Sequence, residues 1–224
     1  MLRTLISTPF PQNIIIILVY AFCVLLSISI HELSHGLAAY ASGDNTAKYT
    51  GRLSLNPLNH MDPFGALCLF LFGFGWAKPV PVNPRNFKNP KAGMVITALA
   101  GPLSNFIVAF IALFISALLT RISFSSDSSL GYNIALVAYM ICDTLALLSI
   151  GLGIFNLIPI PPLDGSKVLN AILPARLYFK YMQYERYGFI ILILLMNTSI
   201  FNSILVSGRT LVLNFYDTII GLLL

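Results

Sequence analysis

Residues 14–30, IIIILVYAFCVLLSISI, carry no charged side chain, and the chain then places His31, Glu32 and His35 within the next five positions. A helix that crosses a bilayer needs about 20 mostly apolar residues. The helical stretch read over residues 13–41 meets that need, apolar at first and amphipathic at its end, and Gly43-Asp44-Asn45 stops it. Ala39-Tyr40-Ala41 resembles a small-x-small cleavage site, but the apolar run before it is longer than a signal-peptide core, so the segment reads as a retained span. Further spans are expected over residues 92–119, interrupted by Gly101-Pro102, over 132–158, stopped by prolines, and over 188–206. Residues 211–224 fit either a short last span or an interfacial helix.

With 57% hydrophobic and only 9% charged residues, the chain leaves little for a soluble domain, which usually carries about 25% charged residues. The expectation is one membrane domain over residues 1–224, all-α, with five to six membrane segments. Residues 64–76 are apolar but too short to span, and read as a re-entrant segment. Residues 48–55 are strand-like, and KPVPVNP at 78–84 is extended because alternate prolines forbid helix. A small membrane-associated β region is therefore expected between the first span and the next.

The net charge is +5, yet the basic residues sit singly in short loops, where they act as topology signals rather than as a nucleic-acid patch. If the first span ends inside, ten basic residues lie inside and three (Arg3, Arg121 and Arg209) outside, as the positive-inside rule favours. That orientation brings the C-terminal ends of the first span and of the 132–158 span to one membrane face. Cys23, Cys68 and Cys142 form no CxxC pair and lie in apolar segments, which points to unreactive thiols rather than a disulfide or thiolate zinc site.

His31 and His35 are four apart on a helix, so their imidazoles share a face and can share a metal ion. Glu32 lies about 100° round the helix and is placed to handle the protons of an attacking water. This is the HExxH arrangement of zinc proteases. A polar helix end facing water is the bland alternative. It is weakened by the cost of ionisable groups in a span, about 2.5–3.5 kcal/mol each on insertion scales. A catalytic zinc takes three protein ligands. The third is sought where the 132–158 span ends, in FNLIPIPPLDG. There prolines break the helix and Gly165 allows Asp164 to turn back toward the membrane. His60, in a polar loop, is the rival ligand.

HELSH, GPLSN and NLIPIPPLDG, in this order on separate spans, resemble the site-2 protease family of intramembrane zinc metalloproteases. The similarity runs over about residues 13–180, the expected catalytic core, and includes GWAKPVPVNP. The chain resembles a minimal form without PDZ or CBS domains. The resemblance implies one zinc ion per chain held by His31, His35 and Asp164, with Glu32 as general base and acid. It also implies a site role for Asn105 and Asn156, bonding the substrate backbone or the developing oxyanion, and β-structure beside the active site. It gives Asp143 no role. Gly101 and Pro102 are expected to kink the span and allow close packing.

The expected reaction is hydrolysis of peptide bonds within or near the spans of single-span membrane proteins or remnant peptides, in a prokaryotic cell membrane with the site near the cytoplasmic face. A metal or proton transporter would also place His, Glu and Asp within spans. The ligands' position near one face and the lack of inverted repeats weigh against it. An inactive scaffold on a protease fold is the third class, opposed by the intact HELSH and LDG.

Overall fold

The computed structural model describes residues 12–65, 68, 76–123 and 129–224. The described chain is helical: α1 Gln12–Ala41, α2 Thr46–Tyr49, α3 Pro90–Ser123, α4 Ser129–Leu157, α5 Asp164–Ile172, α6 Ala175–Met182, α7 Glu185–Met196 and α8 Ser199–Leu223. Three of these helices are long and apolar enough to cross a membrane, at Ile14–Ala41, Pro90–Arg121 and Gly131–Leu157. A fourth crossing is made if α7 and α8 act together.

Each long helix stops where its sequence supplies the stop. At the end of α1, Gly43 takes φ +111°. Its N–H bonds Tyr40 O at 3.0 Å and the Asp44 N–H bonds Ala39 O at 2.9 Å, the paired bonds of a Schellman cap. Helix α3 starts with Pro90 in its first turn, where a missing N–H costs nothing, and the Asn89 side chain accepts the Ala92 N–H at 3.1 Å. Contrary to the expected interruption, α3 runs through Gly101 and Pro102. Helix α4 ends at Leu157, and residues 158–163 are non-helical before Asp164 opens α5.

Two sequence expectations are corrected. The single span expected over 188–206 is broken between α7 and α8, which meet at 83°. Thr198 is extended there, and its hydroxyl caps α8 by accepting the Phe201 N–H at 3.2 Å. Residues 211–223 are then the second half of α8. The strand-like reading of 48–55 also fails locally: Lys48 and Tyr49 close α2, and 52–55 have no regular structure. No named strand occurs among the described residues, only an isolated antiparallel bridge between Met61 and Ala77. The expected re-entrant segment lies largely outside the described residues. KPVPVNP is free of helix up to Asn83, as its prolines require.

Helix α3 is the hub, packing on α1, α4 and α5. Its contact with α4 and α8 is built on Ala109, Ala112, Ala146, Ile150, Tyr216 and Ile220, where small side chains let the backbones approach. Polar clips add to this packing: Ser27 and Ser149 share a buried hydrogen bond at 2.9 Å between α1 and α4, and Tyr216 donates to Phe106 O at 2.9 Å. Cys23 is buried and Cys68 and Cys142 half-buried, all as free thiols.

Beyond α1, Asp44 ties the helix end to the loop before α3. It is fully buried. Its carboxylate accepts from the Thr46 N–H and hydroxyl, the Asn83 N–H and the Asn86 amide. Burial alone would push this carboxyl up, but the bonds from Thr46, Asn83 and Asn86 outweigh it and hold it below the usual carboxylate range. A depressed folded-state pKa contributes stability that is present above the unfolded value and lost as pH falls through the folded one. Asp44→Ala should therefore destabilise the protein by about 2–3 kcal/mol at neutral pH, the cost of stranding buried donors. Thermal unfolding in detergent should show the gap between wild type and variant narrowing at acid pH.

Candidate metal centre

The last three turns of α1 and the first residue of α5 meet on the flank of α3. His31 Nε2 lies 3.1 Å from Asp164 Oδ2, His35 Nε2 lies 3.0 Å from the same oxygen, and the two Nε2 atoms are 3.0 Å apart. All three residues are buried. Among the described residues they form a group able to hold a metal ion. The ends of the first and 132–158 spans thus converge, as the charge-based orientation required.

The donor set fits a divalent cation on its own chemistry. His35 Nδ1 lies 2.7 Å from the Thr97 carbonyl, so Nδ1 carries the proton and a neutral ring leaves Nε2 bare. Three lone-pair atoms this close need positive charge between them. A proton on one imidazole serves only one edge of the triangle, whereas a divalent cation serves all three. The edges lie close to the roughly 3.3 Å expected between ligands about 2.0–2.1 Å from a tetrahedral zinc.

The second histidine repeats the arrangement. Asn105, fully buried, lies with its amide nitrogen 3.0 Å from His31 Nδ1, while its Oδ1 is buried with no partner. Amide nitrogen and oxygen are exchangeable by a flip. With Oδ1 turned to His31, Nδ1–H donates and Nε2 is freed as a ligand, the outer bond that metal-binding histidines almost always make. Both outer partners, Thr97 O and Asn105, come from α3. So does Gly101: a Cβ there would lie 2.4 Å from His35 Nε2 and 2.7 Å from His31 Cε1. The expected close packing at Gly101 is thus packing against the imidazoles themselves.

Asp164 divides its oxygens. Oδ2 faces the histidines, and Oδ1 accepts from Lys167 at 3.0 Å one turn along α5. Burial alone would push this carboxyl up. The positive charge of Lys167 works against burial and favours the ionised carboxylate, which is the form able to bind a metal. Gly165 permits the return. A Cβ on it would lie 2.2 Å from Leu157 O, so only glycine lets α5 start against the end of α4.

Glu32 is half-buried and outside the triangle, with Oε2 accepting the Val80 N–H at 2.9 Å. Asn156 uses its amide to donate to Leu152 O at 3.0 Å on its own helix, and no contact with the triangle is seen among the described residues. His60 is buried, with Nε2 donating to Ser54 O at 2.7 Å. It lines a cavity of about 380 Å³ between α1 and α4 and is not part of the cluster. That cavity runs along Val24 and Ile28 on α1 and Gly151, Leu152 and Phe155 on α4. Val24 and Ile28 lie at four-residue steps below Glu32, so the cavity follows the helix face that Glu32 ends. Asp143 is half-buried in α4, outside the cluster. The sequence reading missed Thr97, which acts through a backbone carbonyl that has no residue signature. It also missed Lys167, a lone Lys three positions past Asp164.

Removing the outer bond should be felt in the metal. Asn105→Leu should weaken zinc binding about 10–100-fold, and Gly101→Ala should abolish stoichiometric zinc by displacing both rings. Metal content of the purified variants after dialysis against a graded chelator measures both.

The pattern of peptidase family M50 matches residues 19–197. The chain is 38% identical over 199 residues to "Putative zinc metalloprotease YwhC" of Bacillus subtilis, covering 87% of this chain and 89% of that protein. It is 27% identical over 184 residues to "Putative zinc metalloprotease Rip2" of Mycolicibacterium smegmatis, covering 80% of this chain and 66% of that one. Over 86 residues it is 37% identical to "Zinc metalloprotease MJ0392" of Methanocaldococcus jannaschii, which is 38% of this chain and 22% of that protein. No solved structure matches. A buried two-histidine, one-carboxylate centre between apolar helices and a family match over most of the length agree: this chain belongs to peptidase family M50, the site-2 protease family.

Proposed function

We propose that the protein is an intramembrane zinc metalloprotease that cuts peptide bonds within or near the spans of single-span membrane proteins or remnant peptides. The observation that carries the reading is the convergence of His31, His35 and Asp164 at 3.0–3.1 Å inside a bundle of apolar helices. The names of the relatives support zinc as the ion. These three residues would hold one zinc per chain, which when bound supplies Lewis acidity toward the scissile carbonyl and the attacking water.

The protein's own residues handle the rest. Glu32 takes a proton from water as the carbon–oxygen bond forms, and delivers it to the amine nitrogen as the carbon–nitrogen bond breaks. Asn105 holds His31 from behind. Asn156 spends one amide N–H on Leu152 O, and its second N–H would serve the substrate carbonyl oxygen as charge develops there. The cavity along Val24, Ile28 and Gly151 suits apolar substrate side chains below Glu32. The positive-inside count supports a site near the cytoplasmic face of a prokaryotic cell membrane, and the α7–α8 pair would bring the crossings among the described residues to four.

Cleavage of a single-span substrate by the purified protein in detergent is the direct test. Glu32→Gln should keep its zinc and lose cleavage by about 10²–10⁴-fold. Asp164→Ala should lose most of its zinc. Full cleavage by Glu32→Gln would overturn the reading, and zinc flux into proteoliposomes unaffected by Glu32→Gln would favour a transporter.

Gly151 offers a separate test of the cavity. A Cβ built there meets nothing within 4 Å, although the residue lines the cavity. Gly151→Leu should thus be accommodated, remove helix-interior glycine, and intrude on substrate. Steady-state kinetics should show KM raised about tenfold, the effect of losing one apolar side-chain site, with zinc content unchanged.

A further inference from the structure

We infer that Arg52 is a positioning residue for Glu32, acting through the backbone of residues 78–80. The inference rests on the proteolytic reading of Glu32 and adds the device that orients it.

Three anchors hold this short stretch. The Lys78 N–H donates to His60 O at 2.8 Å. Arg52 Nη2 donates to Lys78 O at 3.1 Å and to Pro79 O at 2.9 Å. The Val80 N–H then donates to Glu32 Oε2 at 2.9 Å. Arg52 is only 9% exposed and Val80 8%, so these bonds are largely shielded from competing water. A guanidinium seldom lies this deep without a carboxylate partner. Here, among the described residues, its hydrogen bonds go to two consecutive backbone carbonyls.

The sequence around Val80 suits a rigid donor. Pro79 and Pro81 flank it and have no N–H, so Val80 supplies the single backbone donor of that tripeptide. Their rings fix their own φ, and Pro81 biases Val80 toward an extended conformation. The surface of α1 is cut to receive the stretch. Gly36 lies four residues past Glu32, and a Cβ on it would come 2.6 Å from Leu53 Cδ2 and 3.4 Å from Val80 Cγ1. Bare backbone at Gly36 lets the 52–53 and 78–80 segments lie against the helix.

The consequence is chemical. Glu32 Oε2 is held by a fixed amide, which limits rotation of the carboxylate and leaves Oε1 as the oxygen that exchanges a proton. A flexible glutamate at a helix end would sample several rotamers and meet the attacking water in a fraction of them. Arg52 does not touch the reacting atoms. It sets where the Val80 N–H points.

The test uses the full-length protein in detergent, a single-span model substrate, and zinc analysis of every variant. Arg52→Ala should lower kcat about 10–100-fold, the range seen when outer partners of a site are removed. Its KM and zinc stoichiometry should stay within about twofold of wild type. Arg52→Lys, which can reach one carbonyl of the two, should recover part of the loss, and guanidinium ion added to Arg52→Ala should do the same. Val80→Pro deletes the donor itself and should fall to the level of Arg52→Ala, with the double variant no lower than Val80→Pro alone. Undiminished kcat in Arg52→Ala, a loss confined to KM or accompanied by zinc loss, or a double variant showing the product of both losses would each overturn the assignment. Glu32→Gln separates the two levels. If it is inactive while Arg52→Ala is fully active, the positioning role falls and proteolysis stands. If Glu32→Gln still cleaves, the proteolytic reading beneath it falls.

Discussion

Two imidazole nitrogens and a carboxylate oxygen within 3.1 Å of one another repel unless positive charge lies between them. In water such a cluster would simply open. Between apolar helices it cannot, because each polar group that turned away would meet side chains unable to bond it. The surrounding structure is arranged to keep the three atoms together and correctly protonated. The Thr97 carbonyl fixes the tautomer of His35, the Asn105 amide meets His31, and Lys167 occupies the second oxygen of Asp164. A cation held by this set would meet ligands already oriented, so little ordering cost remains to offset its binding.

This requirement explains why α3 supplies no ligand yet dominates the architecture. One helix carries the carbonyl behind one histidine, the amide behind the other, and the glycine that leaves room for both rings. The three positions, 97, 101 and 105, are spaced by four and therefore fall on one face. GPLSN is thus half of a longer device whose other half is a backbone atom. The Pro102 beside it lies within a continuous helix. Helix α1 brings the two histidines to that face, and the unwound stretch 158–163 lets Asp164, at the start of α5, come back to them after α4 has stopped.

Much of this was legible in the sequence because the informative residues are costly where they stand. His31, Glu32 and His35 at the end of an apolar run, and an Asp-Gly after three prolines, have few uses other than a shared site. The distribution of basic residues already implies that both helix ends share one face, which joins the two motifs. What was not legible depended on the backbone or on three-dimensional neighbours. Thr97 contributes its carbonyl, Val80 its N–H, and Arg52 reaches carbonyls 26 and 27 residues away. The β-like composition of 48–55 was overridden by the compact turn after Asp44. The apolar run at 188–206 concealed a break because Asn197-Thr198 is a modest interruption by composition, while Thr198 makes a complete cap in space.

The stiffness of the centre also bears on the choice between a resident metal and a transported one. A transport site must release its ion to the far side, so its ligands need an alternative set of partners on the way. Here both histidines are pinned from behind, with outer bonds of 2.7 and 3.0 Å to α3, and the third ligand is clamped by a neighbouring lysine. Glu32, the one further acid in the motif, is drawn out of the ligand set by a backbone amide. A carrier would gain from a fourth carboxylate ligand, whereas a hydrolase needs that carboxylate free to exchange protons beside the metal. The division between three inward donor groups and one acid held apart therefore suits a site that would keep its ion and work on something else.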